Sequence, residues 1–283
     1  MATFSNRATL TYNGLSVASN LVTGQITEVL SVTKSALLPT YGYDPITYIV
    51  TLVNSGTQDF TGVVVTDDLG AYEFGGATVY PLSYVDNSLS AFENGTPIAS
   101  PAVSTDAGLA ISGVTVPAGG SVVLVYAATA TEYAPRAAGE GITNTATATG
   151  GGLVAPSSAE ATVLAAEEAE LTIVKSVSPD VVPENGTLSY TFEIANSGTA
   201  PADAEAKVVV SDLFDPILTN LTVTLDGVPL ALTTGYTYDE ATGQFTTVAG
   251  AITVPAATVS QDPETGVYSV TPGSVTLVVS GTV

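Results

Sequence analysis

The sequence contains no cysteine, no histidine and no tryptophan, and its 283 residues include a single methionine. Each absence removes a class of chemistry. Without Cys or His there is no thiolate nucleophile, no Ser-His-Asp triad, no imidazole general base and no Cys- or His-ligated zinc. Carboxylate chemistry and oxygen-ligated metals remain. No disulfide can stiffen the chain in any compartment. Positive charge is scarce as well: 5 Lys and Arg stand against 27 Asp and Glu, a formal net charge of −22. Phosphate backbones are bound chiefly by Lys and Arg that displace counterions, so nucleic acid is not an expected partner. No apolar run approaches the ~20 residues needed to span a bilayer, and no membrane insertion is expected. The start, Met-Ala-Thr-Phe-Ser-Asn-Arg, lacks the basic stretch and apolar core of a secretory signal. Either a signal has been removed, or the protein reaches the exterior without one.

The chain is nevertheless 45 % hydrophobic and only 11 % charged, far from a disordered composition. Its length suggests two domains. β-Branched and polar residues alternate over Thr47–Val53, Gly62–Thr66, Ser121–Tyr126 and Ser274–Val279, with Gly, Pro, Asn and Asp between the runs. Such runs read as strands. Asn94-Gly95, Asn185-Gly186 and Asp226-Gly227 are the residue pairs that tight hairpins prefer. Ala161–Glu170 (ATVLAAEEAE) has a helical flavour but is short and sits between repeats, so it reads as strand and linker. The expectation is an all-β chain of sandwiches.

An internal repeat organises these strands. Leu30–Asp67 (LSVTKS, ITYIVTLVNSGT, GVVVTD) returns as Leu171–Asp212 (LTIVKS, LSYTFEIANSGT, KVVVSD). Lys34 matches Lys175, Tyr48 matches Tyr190, Asn54-Ser-Gly-Thr57 matches Asn196-Ser-Gly-Thr199, and Asp67 matches Asp212. The first copy then continues to a final strand, Ile142–Thr149, which is not found after the late strand of the second. A matching segment stands at the other end of the chain: Phe4–Thr11 aligns with Ile142–Thr149, Asn6 on Asn144 and Ala8 on Ala146. The spacing from Asn6 to Lys34 is 28 residues and from Asn144 to Lys175 is 31. The chain therefore reads as an N-terminal strand and linker (1–26), a complete domain (27–155), and a second domain lacking its final strand (156–283).

A sandwich short of one strand exposes unpaired N–H and C=O groups and an open core stripe. Three fillers are conceivable: the chain's own N-terminal strand, that of a neighbour, or none. Because the two connectors match, they are expected to send the chain onward in the same way. This favours donation, with Phe4, Asn6, Ala8 and Leu10 turned into the second domain of a neighbouring subunit. Repeated head to tail, such a contact does not close and builds a homopolymer.

The chain has three Lys, at 34, 175 and 207, and two of them occupy the same position of the repeat. A Lys kept neutral by an apolar setting, an Asn carboxamide and a carboxylic acid are the parts of an intramolecular isopeptide bond. Lys34, Asp67 and Asn144 supply them within one chain, and Lys175 and Asp212 supply them with Asn6 of a neighbour. The plainer reading makes the Lys an edge gatekeeper, the Asn a turn former and the Asp a loop cap. Asp67-Asp68 and Asp239-Glu240 lack the spacing of a calcium loop, and no metal or cofactor is expected. No aromatic cleft signature accompanies the carboxylates, and the chain is not expected to be an enzyme.

These motifs, TKS, ITYIVTLVNSGT and LSYTFEIANSGT, VVVTD and VVVSD, and the closing TNTATAT, resemble the conserved-repeat domain of bacterial surface proteins, the domain of unknown function eleven. The resemblance implies immunoglobulin-like sandwiches, here two in tandem after a donor strand, in an exported structural module. The start FSNRATLTYNG followed by ITEVLSVTKS is similar to proteins of clostridial spore appendages. That similarity implies a spore- or cell-surface filament subunit released by lysis of the mother cell. The family's Lys, Asp and Asn positions fall on Lys34, Asp67 and Asn144, and on Lys175, Asp212 and Asn6. No anchor motif accompanies them. The alternative from another class is a monomeric surface adhesin or carbohydrate-binding module.

Overall fold

The structure, a computed structural model, describes residues 2–27, 29–42 and 44–283. Apart from a short 3-10 turn at Ala204–Ala206, its regular elements are β-strands. Among the described residues no helix is long and apolar enough to cross a membrane.

Four strands precede the first sandwich: β1 (Ala2–Asn6), β2 (Thr9–Tyr12), β3 (Leu15–Ala18) and β4 (Val22–Ile26). β1 pairs only with β4 and β2 only with β3, both antiparallel, so together they make one long hairpin. Its tip is Asn13-Gly14, with φ of 45° and 79°, the left-handed pair that a tight two-residue turn requires. The expected donor strand is thus one arm of a ribbon.

The chain divides into two compact units, the first of which includes this hairpin. The first runs to Pro135 and resumes over Gly141–Leu164; the second takes Arg136–Glu140 and Ala165–Val283. One layer of the first unit contains β5 (Leu30–Ala36), β7 (Ile46–Asn54), β11 (Leu82–Tyr84), β12 (Ser90–Glu93), β13 (Thr96–Ile98) and β16 (Ser121–Ala130), in the order β13-β12-β16-β7-β5 with β11 also on β16. The other contains β6 (Thr40–Tyr41), β8 (Phe60–Asp67), β14 (Ala102–Ser104), β15 (Leu109–Val116), β17 (Gly141–Gly150) and β18 (Ser157–Ala165), in the order β14-β15-β8-β17-β18-β6. A small ribbon, β9 (Tyr72–Phe74) with β10 (Ala77–Val79), stands apart from both. Alternation sets the inner faces: Tyr48, Val50 and Leu52 on β7, Val63 and Val65 on β8, and Leu124 and Tyr126 on β16 are buried.

The second unit repeats the first layer with β19 (Leu171–Ser178), β20 (Thr187–Asn196), β22 (Thr219–Leu225), β23 (Val228–Pro229) and β28 (Gly273–Thr282), in the order β19-β20-β28-β22-β23. Its opposing layer is much reduced: β21 (Ser211–Leu213), β25 (Gln244–Thr247) and β24 (Tyr236–Asp239), supplemented by isolated bridges at Ala202–Val254 and Val208–Ile252. A separate ribbon joins β26 (Thr258–Gln261) to β27 (Tyr268–Thr271). Phe192, Phe214, Phe245, Ile252 and Leu277 centre its core. The repeated Asn-Ser-Gly-Thr is a structural lock. Buried Asn54 donates to the carbonyls of Gln58, Val116 and Pro117 and accepts from Gly56, while Asn196 donates to Ala200 and Pro255 and accepts from Gly198 and Glu170.

Two sequence expectations are corrected. Asn94-Gly95 and Asp226-Gly227 do close hairpins, whereas Asn185-Gly186 sits in a turn before β20, with only Asn185 left-handed. The expected boundary at 155 falls short, because β18 pairs with β17 from Ala148–Ser157 to Gly141–Leu164. Ser157, Ala159, Ala161 and Val163 turn the same side of β18 inward, so the strand belongs with the first sandwich. The final element of that sandwich is a hairpin, not a single strand.

The missing counterpart in the second unit leaves its β19 open. Leu30 and Val32 are 5 % and 8 % exposed, but the matching Leu171 and Ile173 are 38 % and 54 % exposed. Leu30→Ala is expected to destabilise its unit by about 2–5 kcal/mol. Leu171→Ala is expected to cost under about 1 kcal/mol, as at other surface positions. Urea unfolding of both variants, followed by Tyr fluorescence and circular dichroism, checks the contrast.

Candidate functional site

Strand phase brings the polar residues of the first repeat together inside the sandwich. Lys34 shares the inward phase of Leu30 and Val32 on β5, Asp67 ends the inward run Val63, Val65 on β8, and Asn144 lies between Ile142 and Ala146 on β17. The register sets Ala146 opposite Asp67 and Tyr48 opposite Tyr126. Lys34 Nζ lies 2.5 Å from Asp67 Oδ2, and both side chains are almost wholly enclosed, at 0 % and 1 % exposure. The Tyr126 hydroxyl donates to the same oxygen, and the other Asp67 oxygen accepts from the Leu69 amide. The ammonium also lies 4.8 Å from the centre of the Tyr48 ring, which stacks on Tyr126.

Asn144 is fully buried, and neither polar atom of its carboxamide has a hydrogen-bond partner. The hydroxyls of Tyr48 and Tyr126 are its polar neighbours, and the Asn144 carboxamide opposes part of the rise that burial gives their pKa values. A buried amide left unpaired costs about 1–3 kcal/mol, so the arrangement is held by its surroundings. One restraint is visible next to it: Asp68 Oδ1 accepts from the Thr145 and Gly70 amides, and the Asp68 amide donates to the Thr145 carbonyl. Gly70 permits that clasp, since at its φ of +71° a Cβ would come 2.4 Å from Ile142 Cγ2.

Burial lowers the Lys34 pKa below its ordinary 10.5, against the opposing pull of Asp67. Burial likewise raises the Tyr48 and Tyr126 hydroxyls well above 10, with the Asp67 charge adding to the effect. Burial thus favours the uncharged amine at Lys34, which lies within hydrogen-bond reach of the Asp67 carboxyl group in the same enclosed cluster as the Asn144 carboxamide.

The second repeat holds part of this set. Lys175 pairs with Asp212 and lies over the Tyr190 ring, 4.4 Å from its centre, with Phe192 and Phe214 nearby. Its side chain is 41 % exposed, and Asp212 is 18 % exposed. Asn6, the third member expected from the sequence, lies exposed on β1 and pairs with Val22. Phe4, Ala8 and Leu10 are exposed with it. At the position of Tyr126, opposite Tyr190 rather than Tyr48, stands Val279. The two tyrosines of the first site were legible only in part: Tyr48 recurs as Tyr190, but no repeat flagged Tyr126.

No known family model matches the chain, and no curated protein does. Solved structures of similar architecture include the major pilin subunit of Bacillus cereus (13 % identity, 96 % of this chain and 73 % of that one, TM-score 0.38). Others are the pilus backbone protein of Streptococcus pneumoniae (12 %, 86 % and 55 %, 0.34) and a C-terminal fragment of the major pilin of Streptococcus agalactiae (13 %, 78 % and 79 %, 0.34). The likeness is one of all-β architecture.

The raised tyrosines have a consequence for stability. Between pH 10 and their folded pKa values the unfolded chain loses phenolic protons that the folded chain keeps, so their contribution is complete below pH 10 and is lost as pH rises above it. The melting temperature of the first unit is expected to fall above pH 10, and less steeply in Tyr126→Phe. Calorimetry across pH 9 to 12 checks this.

Proposed function

We propose that this protein is the structural subunit of an extracellular filament, a spore-surface or cell-surface appendage, that polymerises head to tail by donating its N-terminal strand. One observation carries the reading. Leu30, Val32 and Lys34 are buried in the first unit, where β17 packs against β5, while Leu171, Ile173 and Lys175 stand open in the second. The N-terminal strand repeats the sequence of β17, with Asn6 for Asn144 and Ala8 for Ala146. Set beside β21 of a neighbour, Phe4, Asn6, Ala8 and Leu10 fill the stripe that Ile142, Asn144, Ala146 and Ala148 fill in the first unit. The donating and accepting surfaces differ, so each added subunit exposes a fresh donor and a fresh acceptor, and the assembly grows without closing.

The buried cluster adds a covalent lock to this reading. The neutral Lys34 amine attacks Asn144 Cγ; the new N–C bond replaces the carboxamide C–N bond, and ammonia leaves. Asp67 polarises the carbonyl and carries the amine proton to the departing nitrogen, so no further reactant is consumed. Lys175 and Asp212 await Asn6 of the neighbouring subunit for the equivalent step. A filament so joined needs no cysteine.

Electron microscopy of the full chain beside a chain lacking residues 1–14, at equal concentration, tests the assembly: filaments are expected only from the full chain, and single particles from both would overturn donation. Intact mass tests the lock independently. The monomer is expected to be lighter than its sequence by one ammonia, with the sequence mass restored in Lys34→Ala and Asn144→Ala. A wild-type protein at its full sequence mass would sink the crosslink.

A further inference from the structure

The hairpin β1–β4 has one apolar and one polar face. Residues directly opposite in an antiparallel pair share a face, and successive residues alternate. The pairs Phe4–Gly24, Asn6–Val22, Leu10–Val17 and Tyr12–Leu15 therefore lie on one side, and Thr3–Gln25, Ser5–Thr23, Thr9–Ala18 and Thr11–Ser16 on the other. The phase survives the break between the ribbons because the returning arm carries one extra residue across Ser19–Leu21. There Ser19 exchanges bonds with Ala8 through its amide and its Oγ. Phe4, Leu10, Tyr12, Leu15, Val17 and Val22 are all more than half exposed, so a continuous apolar face stands in solvent with Asn6 as its one polar member.

The same chain contains the pattern for covering such a face. In the first sandwich, β17 and β18 form a hairpin whose inward pairs are Ile142–Val163, Asn144–Ala161 and Ala146–Ala159, and both arms continue the sheet beyond β8. Asn6–Val22 is the counterpart of Asn144–Ala161. Charge agrees with this occupant as well: no Asp or Glu occurs before Glu28, and Arg7 is one of the chain's five cations, so the hairpin lies outside the acidic excess of the body. An acidic arm would be repelled by a second copy; this one is not.

Resting on the donation reading above, we propose that the donated element is the whole hairpin Ala2–Ile26 of a second copy of this chain. It seats as a two-stranded plug with its Phe4/Asn6/Leu10/Val17/Val22 face on the open side of the second sandwich. The first arm pairs with β21 in the register that places Ala8 opposite Asp212, as Ala146 stands opposite Asp67. The returning arm takes the place of β18 and extends the sheet. Burial of Lys175 then comes from the incoming hairpin, so the reactive setting of the second site is completed by assembly.

Full-length chains bearing Leu10→Asp, Val22→Asp or Thr23→Asp separate the possibilities by sedimentation and electron microscopy. Loss of filaments is expected for Leu10→Asp and Val22→Asp, and retention for Thr23→Asp, which puts the same charge on the polar face of the same strand. Filaments from Val22→Asp with none from Leu10→Asp would overturn the hairpin plug while leaving single-strand donation standing. Loss in Thr23→Asp as well would overturn the assignment of the docking face. Filaments from all three would overturn both the plug and donation itself. Hydrogen exchange of the wild type gives a check without mutation: amides of Val22–Ile26 are to gain protection on polymerisation together with those of Thr9–Tyr12, and protection confined to the first arm overturns the plug.

Discussion

A lysine and an aspartate that face the interior of a β-sandwich require a strand over them. In the first unit β17 is that strand, and beneath it Lys34 and Asp67 are dry, Tyr126 is fixed to the shared carboxylate, and Asn144 is held unpaired. In the second unit the same pair, Lys175 and Asp212, borders solvent. Coulomb attraction in water is weak, and an exposed pair of this kind contributes little. Enclosure is what sets the first pair apart, since desolvation lowers the Lys34 pKa. Whether a strand covers the pair therefore governs its chemistry as well as the stability of the sheet.

The chain has few other means of becoming durable. It has no cysteine for disulfides, and its acidity opposes association between its own copies. In the proposed assembly a hairpin free of acidic residues would solve the second problem locally, by bringing an apolar, nearly uncharged surface to an otherwise repulsive body. The proposed amide between Lys and Asn would solve the first, using two residue types that are stable in any redox environment. In the proposed filament the acidic surface would keep laterally neighbouring polymers apart.

The repeat was the most legible feature of the sequence. It singled out Lys34, Asp67 and Asn144 as a set, and the match of Phe4–Thr11 with Ile142–Thr149 drew attention to the front of the chain. The return arm was harder to see. Leu15–Ala18 and Val22–Ile26 are short, are broken by Ser19–Leu21, and have only a loose likeness to Ser157–Ala165, so the ribbon registers that unite them do not appear in a linear reading. The same limitation set the boundary at 155, because a strand of small residues such as SSAEATVLA has little periodic contrast.

Composition excluded thiol and imidazole chemistry, alternation specified a β-sandwich, and duplication identified Lys34 and Lys175 as equivalent; these depend on local order along the chain and so survive in sequence alone. Tertiary structure decided which of the two equivalents is enclosed, that Tyr126, which no repeat marks, joins Lys34 on Asp67, and that Asn144 is left unpaired beside two tyrosines. It also turned a single displaced strand into a hairpin. The bonds that hold Asp67 and its neighbour Asp68 join residues 33 to 77 positions apart, set by register and sheet order, and no local pattern encodes them.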